Sequence, residues 1–262
     1  MMKPTWDFDA ANTINDISNW IAQYIDRAGA KGVVIGLSGG IDSSVVAALA
    51  VKRLGKENVL GIVLPCESNP KDKEDAIVVA EWLGIRYQIV DLTSVFDQLT
   101  CRSGLPLRSC PKTPTANDAA TLTKANIKAR LRMTTLYAFA NQLNYLNMGT
   151  GNRSELMIGY ITKYGDGGVD FEPLGEYYKT EVYAMARILD VPQPIIDRKP
   201  SAGLWEGQTD EDEIGMSYEL LDELLRNWIT VQKSHEEPDT IKVNNLINKS
   251  KHKRNMPPIC PR

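Results

Sequence analysis

Two common phosphate-binding signatures are missing from this chain. Its glycine turn at Gly39-Gly40 lacks the lysine of a GxxxxGK[ST] loop, and no GxGxxG run occurs, which sets aside the Walker loop and the dinucleotide fingerprint. There is no excess of basic residues: 30 Lys and Arg face 33 Asp and Glu, for a net charge of −3. The overall field that attracts nucleic acid is therefore absent. No apolar run is long enough to span a bilayer, and the opening MMKPTWDFDA has no signal-peptide core. The expectation is a cytoplasmic protein without membrane contact. Only four cysteines occur (Cys66, Cys101, Cys110 and Cys260), with no CxxC pair. Reduced thiols are expected, with a Cys101–Cys110 disulfide or half a metal site as the alternative. What remains is ordinary globular composition: 262 residues, 43% hydrophobic and 24% charged. That length suits one large α/β domain or a domain with appendages.

The informative stretch is Val33–Ser44, VVIGLSGGIDSS. Val33, Val34, Ile35 and Leu37 form a β-branched apolar run suited to a buried parallel strand. Ser38-Gly39-Gly40 makes a turn, and helical pattern follows at once, with Gly55 as its cap. Strand, glycine turn and helix together aim backbone N–H groups and a helix N-terminus at an anion. Ser38, Ser43 and Ser44 add hydroxyls. Asp42 beside a polyphosphate calls for an intervening cation, Mg²⁺ being usual; alternatively it caps the helix.

A helix over 11–28 precedes this stretch, and strands at 59–64 and 86–90 follow, separated by a helix over 71–83. The βαβαβ alternation predicts a three-layer, doubly wound parallel sheet, with ligands at its carboxyl edge. Residues 100–116 read as a Pro-, Ser- and Thr-rich loop. A long helix over 117–143 places Asn126, Arg130 and Tyr137 near one face; by itself Arg130 reads as a surface charge. A fourth strand over 145–148 runs into GTGNRSE, where Glu155 is a candidate second metal ligand. Tyr164–Gly168 is a glycine-rich loop that brings Lys163, Asp166 and Asp170 within eight residues. Lys179 stands at the N-terminal edge of a helix, where the dipole disfavours a cation. That conflict suggests an anionic partner, a plain surface lysine being the other reading. Residues 199–215 are either an exposed acidic loop or a lid over a nucleotide. The segments 216–233 and 238–250 read as helical. The basic tail holding His252-Lys253-Arg254 is either disordered or a phosphate contact.

SGGIDS resembles the loop of the ATP pyrophosphatase superfamily. The fuller set is SGGIDSS, NIKARLRM, GTGNRSE, KYGDGGVD, PLGEYYKTEVYAMAR, PSAGLWEGQTDE and HKR, in that order over nearly the whole chain. It resembles NAD synthetase of the ammonia-dependent, single-domain type. The resemblance implies an adenine-nucleotide alpha-hydrolase-like (Rossmann-like) fold, with 1–262 forming one synthetase domain that ends in helices and a basic tail. It implies that Gly36, Leu37, Ser38, Gly39, Gly40, Ile41, Asp42 and Ser43, with Thr150, Lys179 and Ser201, contact ATP. Asp42 and Glu155 would hold Mg²⁺. Arg130, Lys163, Asp170, His252 and Lys253 would bind deamido-NAD, partly across a homodimer. Asp42, Asp166 and Lys179 would carry the chemistry, with Asp166 handling ammonia.

The implied reaction is ATP-dependent amidation of deamido-NAD through an acyl-adenylate, giving NAD, AMP and pyrophosphate. Glutamine-using relatives carry an amidase domain with a Cys nucleophile; no cysteine here sits in such a setting, so free ammonia is the expected donor. Departures from the family lie in the 100–116 loop and at Ile161, where some relatives carry an aromatic. A tRNA-modifying member of the superfamily would want a basic surface, and a regulatory nucleotide binder would not need both Asp42 and Glu155.

Overall fold

The computed structural model describes residues 2–101, 119–205, 207–228 and 237–260. Strand β1 (Val33–Gly36) lies inside a four-stranded parallel sheet with β2 (Val59–Val63), β3 (Arg86–Ile89) and β4 (Leu146–Asn147). The order is β3-β2-β1-β4. In register, Val33 faces Val59 on one side and Leu146 on the other. The strand order turns back at β1, with β2 and β3 to one side and β4 to the other, so the gap between the carboxyl ends of β1 and β4 is the switch point where such sheets bind ligands.

Side chains alternate along the strands, as the two-residue period requires. Val33, Ile35, Leu37, Val59 and Val63 enter one core. That core is closed by α1 (Ala10–Ala28), α2 (Ile41–Leu54), α3 (Pro70–Leu83), α7 (Lys179–Ile188) and α8 (Gln193–Ile196). Val34, Leu60, Ile62 and Leu64 enter the other, under α4 (Thr93–Cys101) and α5 (Ala119–Leu143). The three-layer, doubly wound expectation is met. A third cluster joins α6 (Arg153–Ile158), α9 (Asp210–Ile214), α10 (Tyr218–Arg226) and α11 (Pro238–Ser250) through Tyr218, Leu221, Leu225 and Val243.

Two differences from the sequence reading have local causes. Helix α4 was not expected, although Asp91 Oδ1 accepts the Thr93 N–H at 2.9 Å and Leu92 and Phe96 give it an apolar side. The acidic run begins with a short helix, α9, not an open loop. Thr209 caps it, and four acids in its first turn favour the positive helix end. The loop over 100–116 lies outside the described residues from 102 onward, so the Cys101–Cys110 alternative does too. Among described cysteine side chains, Cys66 is a buried free thiol and Cys260 is exposed. No helix among the described residues is long and apolar enough to cross a membrane.

Candidate active site

The switch point opens into a cavity of about 510 Å³. Its floor is the β1–α2 turn: Gly36, Leu37, Ser38, Gly40, Ile41, Asp42 and Ser43 all line it. Gly39 has φ +74°, and a Cβ there would meet the Asp72 carbonyl oxygen at 2.8 Å, so only glycine fits. The serines are used differently from the expectation of free donors. Ser43 and Ser44 hydroxyls bond to the Gly40 carbonyl at 3.0 and 2.8 Å, while Ser38 Oγ accepts the Gly40 N–H at 3.2 Å. They hold the turn's shape, and Ser44 is fully buried.

Above the turn, three charges converge from three elements. Lys179, first residue of α7, is 2% exposed and directs Nζ between two carboxylates. It pairs with Asp42 Oδ2 at 2.5 Å and Glu155 Oε1 at 3.1 Å. These are the anionic partners that the helix-dipole conflict called for. Burial alone would lower the Lys179 pKa, but Asp42 and Glu155 outweigh it and hold the ammonium charged. Burial raises Glu155 to about 7, against the Lys179 charge and with help from Asp42 and Asp210. The pair titrates as a unit, and the ion-paired form is the one the geometry supports. Asn152 Nδ2 donates to Asp42 Oδ1 at 2.9 Å and caps α6 in a capping box with Glu155.

The lid candidate supplies the far wall, with Lys199, Pro200, Ser201, Gly203 and Trp205 among its lining residues. Ser201 Oγ accepts the Gly203 N–H at 3.1 Å. Thr150 lines the wall beside β4. Asp166 also lines the cavity, and its Oδ1 accepts the Thr162 N–H at 2.9 Å. Asp166 is exposed as a residue, and desolvation of its carboxyl by the surrounding loop raises its pKa, partly offset by backbone donors and the Lys253 charge.

The family model for NAD synthase matches residues 13–257. The chain belongs to the NAD synthase family. It is 44% identical to the NH(3)-dependent NAD(+) synthetase of Methanosarcina acetivorans over 97% of this chain and 98% of that one. With the enzyme of the same name from Pyrococcus furiosus it shares 48% over 90% and 91%. Among solved structures, NMN synthetase from Francisella tularensis matches with a TM-score of 0.83 at 35% identity, covering 97% and 99%. The NH3-dependent NAD synthetase from Campylobacter jejuni subsp. jejuni, in complex with the nitrate ion, gives 0.79 at 30%, covering 97% and 100%.

Not every expected residue of this synthase-family chain meets at the cavity. Lys163, Asp166 and Asp170 are close in sequence but face apart. Lys163 Nζ donates to the carbonyls of His252 and Asn255, and Asp170 accepts from Tyr137 and from the Asn147 N–H. Arg130 is exposed and donates to the Lys163 carbonyl at 3.3 Å. His252 is exposed, its Nδ1 against the Lys249 carbonyl. Lys253 does reach the cavity, donating to the carbonyls of Gly159 and Ile161 at 2.8 and 2.7 Å. The basic tail is thus ordered by capping carbonyls, a use that charge pattern alone does not reveal.

Sequence reasoning missed several polar residues here. Asp210, Tyr160 and Tyr218 form a hydrogen-bonded wall: Asp210 accepts from both hydroxyls at 3.1 Å, and Tyr218 Oη lies 3.3 Å from Glu155 Oε1. The acidic run is therefore not merely a solvated face. Glu172 accepts the Gly151 N–H at 3.0 Å, and a Cβ on Gly149 would lie 2.2 Å from its carboxylate. Burial lifts Glu172 from 4.5 to about 8, with Asp166 and Glu155 adding to the rise.

The sign of the resulting effect is definite. The folded chain keeps a proton there that the unfolded chain has released, so stability present below about pH 4.5 is lost as pH rises towards 8. Glu172→Gln is expected to gain melting temperature over the parent progressively across that window. A pH-independent difference in calorimetry contradicts this.

Proposed function

We propose that this chain makes NAD from deamido-NAD, ATP and ammonia, releasing AMP and pyrophosphate. The observation that carries the reading is the Asp42–Lys179–Glu155 ion triad, built on a buried ammonium, over a strand–glycine-turn–helix anion site. A carboxylate is a poor acyl donor, and adenylation replaces hydroxide by AMP as leaving group. A nicotinate carboxylate oxygen attacks the α-phosphorus of ATP, the bond to the bridging oxygen breaks, and pyrophosphate leaves. The nitrogen of NH₃ then attacks the acyl carbon and AMP departs. Backbone N–H groups of the β1–α2 turn and the α2 N-terminus hold the leaving phosphates. Lys179 adds positive charge where negative charge develops. Asp166 accepts a hydrogen bond from ammonium and helps remove its proton.

Asp42 and Glu155 fit a divalent cation: both direct hard carboxylate oxygens at one point, now filled by the Lys179 ammonium. Among the described residues no group of three or more His, Cys, Asp or Glu side chains could hold a metal alone. This suits Mg²⁺, which takes one or two carboxylates and completes its shell with water and substrate phosphate. When bound it would supply charge neutralisation of the polyphosphate.

The deciding assay supplies chain, ATP and Mg²⁺ with deamido-NAD and either ammonium or ammonia-free glutamine. NAD and AMP are expected with ammonium only. Equal NAD from glutamine overturns the donor assignment, and faster AMP release with nicotinate mononucleotide overturns the substrate.

The exposed Arg130, Asp170 and His252 and the half-buried Lys163 take the remaining length of deamido-NAD in our reading, with a homodimer completing that part. Truncation after Ser250 is expected to weaken deamido-NAD binding by about tenfold or more while ATP binding stays within about twofold. Equal losses of both ligands would argue against it, as would full activity from a monomer at dilution.

A further inference from the structure

Asp222 does not line the active-site cavity. It stands on α10, in the C-terminal helical cluster, and is completely buried. Its two oxygens take donors from two different helices. Oδ1 accepts the Ser154 hydroxyl, and Oδ2 accepts the Thr180 N–H at 2.9 Å. Ser154 Oγ in turn accepts the Lys179 N–H at 2.9 Å. The first N–H groups of a helix have no partner inside it. In α7 the donors of Lys179 and Thr180 are satisfied from α6 and α10, not by a local cap. Each residue so held adjoins a member of the ion triad or belongs to it: Ser154 precedes Glu155, and Thr180 follows Lys179.

We propose that Asp222 is a positioning residue for adenylation: its carboxylate ties the start of α6 to the start of α7 and so sets Glu155 against Lys179 and Asp42. The proposal rests on the functional reading above. Asparagine has the same shape but only one acceptor oxygen. With Thr180 kept on that oxygen, the amide nitrogen faces Ser154 Oγ, and the buried Ser154 hydroxyl loses the acceptor for its hydrogen. Glutamate keeps the charge but is one methylene too long for a fully buried site. An error of about 1 Å in a reacting constellation is worth roughly 10²-fold in rate.

A purely structural role for Asp222 predicts something different, namely loss of stability alone. Leu225→Ala supplies that comparison, since Leu225 is buried on the same helix and makes none of these hydrogen bonds. Asp222→Asn is expected to lower kcat by about tenfold or more with both KM values within about twofold, and Asp222→Glu should not rescue it. Leu225→Ala is expected to melt earlier yet keep kcat well below its melting temperature. Adding Ser154→Ala to Asp222→Asn should cost little more than Asp222→Asn alone, because both cut one chain of bonds.

Amide exchange gives a reading independent of turnover. Protection at Lys179 and Thr180 is expected to fall in Asp222→Asn and to persist in Leu225→Ala. Losses of kcat that merely follow melting temperature in both variants would overturn the proposal, as would unchanged exchange at those two amides. Should the parent chain make no AMP from deamido-NAD, the functional reading fails, and the exchange measurement alone decides whether Asp222 fixes Lys179.

Discussion

Asp42→Asn and Glu155→Gln are each expected to cut pyrophosphate release by about 10³-fold, the scale seen when a charge-stabilising group is removed from an active site. The fold should survive, because each substitution keeps size, retains one acceptor oxygen and leaves Lys179 with one carboxylate partner. Lys179→Met should behave differently. It removes an ammonium that is 2% exposed from between carboxylates whose side chains are 17% and 15% exposed. Two facing negative charges then remain with little water, and breaking such a pair from one side costs about 3–5 kcal/mol. Lys179→Met should therefore lose both activity and melting temperature, while the two acid variants lose activity with much smaller change in melting. Pyrophosphate release near the parental rate from a folded Asp42→Asn or Glu155→Gln chain would remove the basis of the site assignment.

Asp166→Asn should split the reaction into its halves. Asparagine can still accept the Thr162 N–H at the oxygen that does so now, so the loop geometry persists. What it lacks is the negative charge that attracts ammonium and takes up its proton. Adenylation with release of pyrophosphate should continue, whereas amide formation, and with it release of AMP, should fall by about 10²-fold or more, the lower range for a positioned general base. In the parent chain, activity at limiting ammonium should climb through the neutral to alkaline range, because NH₃ carries the lone pair and NH₄⁺ does not. Rapid-quench measurement of the acyl-adenylate gives the test. Accumulation in Asp166→Asn supports the role, and equal loss of both half-reactions argues against it.

The sheet and the anion site were legible in the sequence because both are local. VVIG, VLGIV and the glycines after β1 specify strand, turn and helix within a dozen residues, by β-branching, backbone freedom and cap chemistry. Lys179 was legible as an anomaly, a cation at the positive end of a helix. The acidic run at 210–213 misled, because a charge run on its own says exposed; only the fold shows Asp210 at 4% exposure beneath two tyrosine hydroxyls. The grouping of Lys163, Asp166 and Asp170 misled in the opposite way, since closeness in sequence does not fix direction in a glycine-rich loop.

By itself, then, the sequence determined which stretches form the parallel strands, the phosphate turn and the family to which the motifs point. Tertiary structure alone decided which carboxylates share Lys179, that the basic tail caps carbonyls at 156–161, and that Asp222 reaches two helix starts from a third. These contacts join residues 24 to 137 positions apart. Such pairings depend on how whole helices pack, and no local propensity encodes the direction in which a buried side chain will finally point.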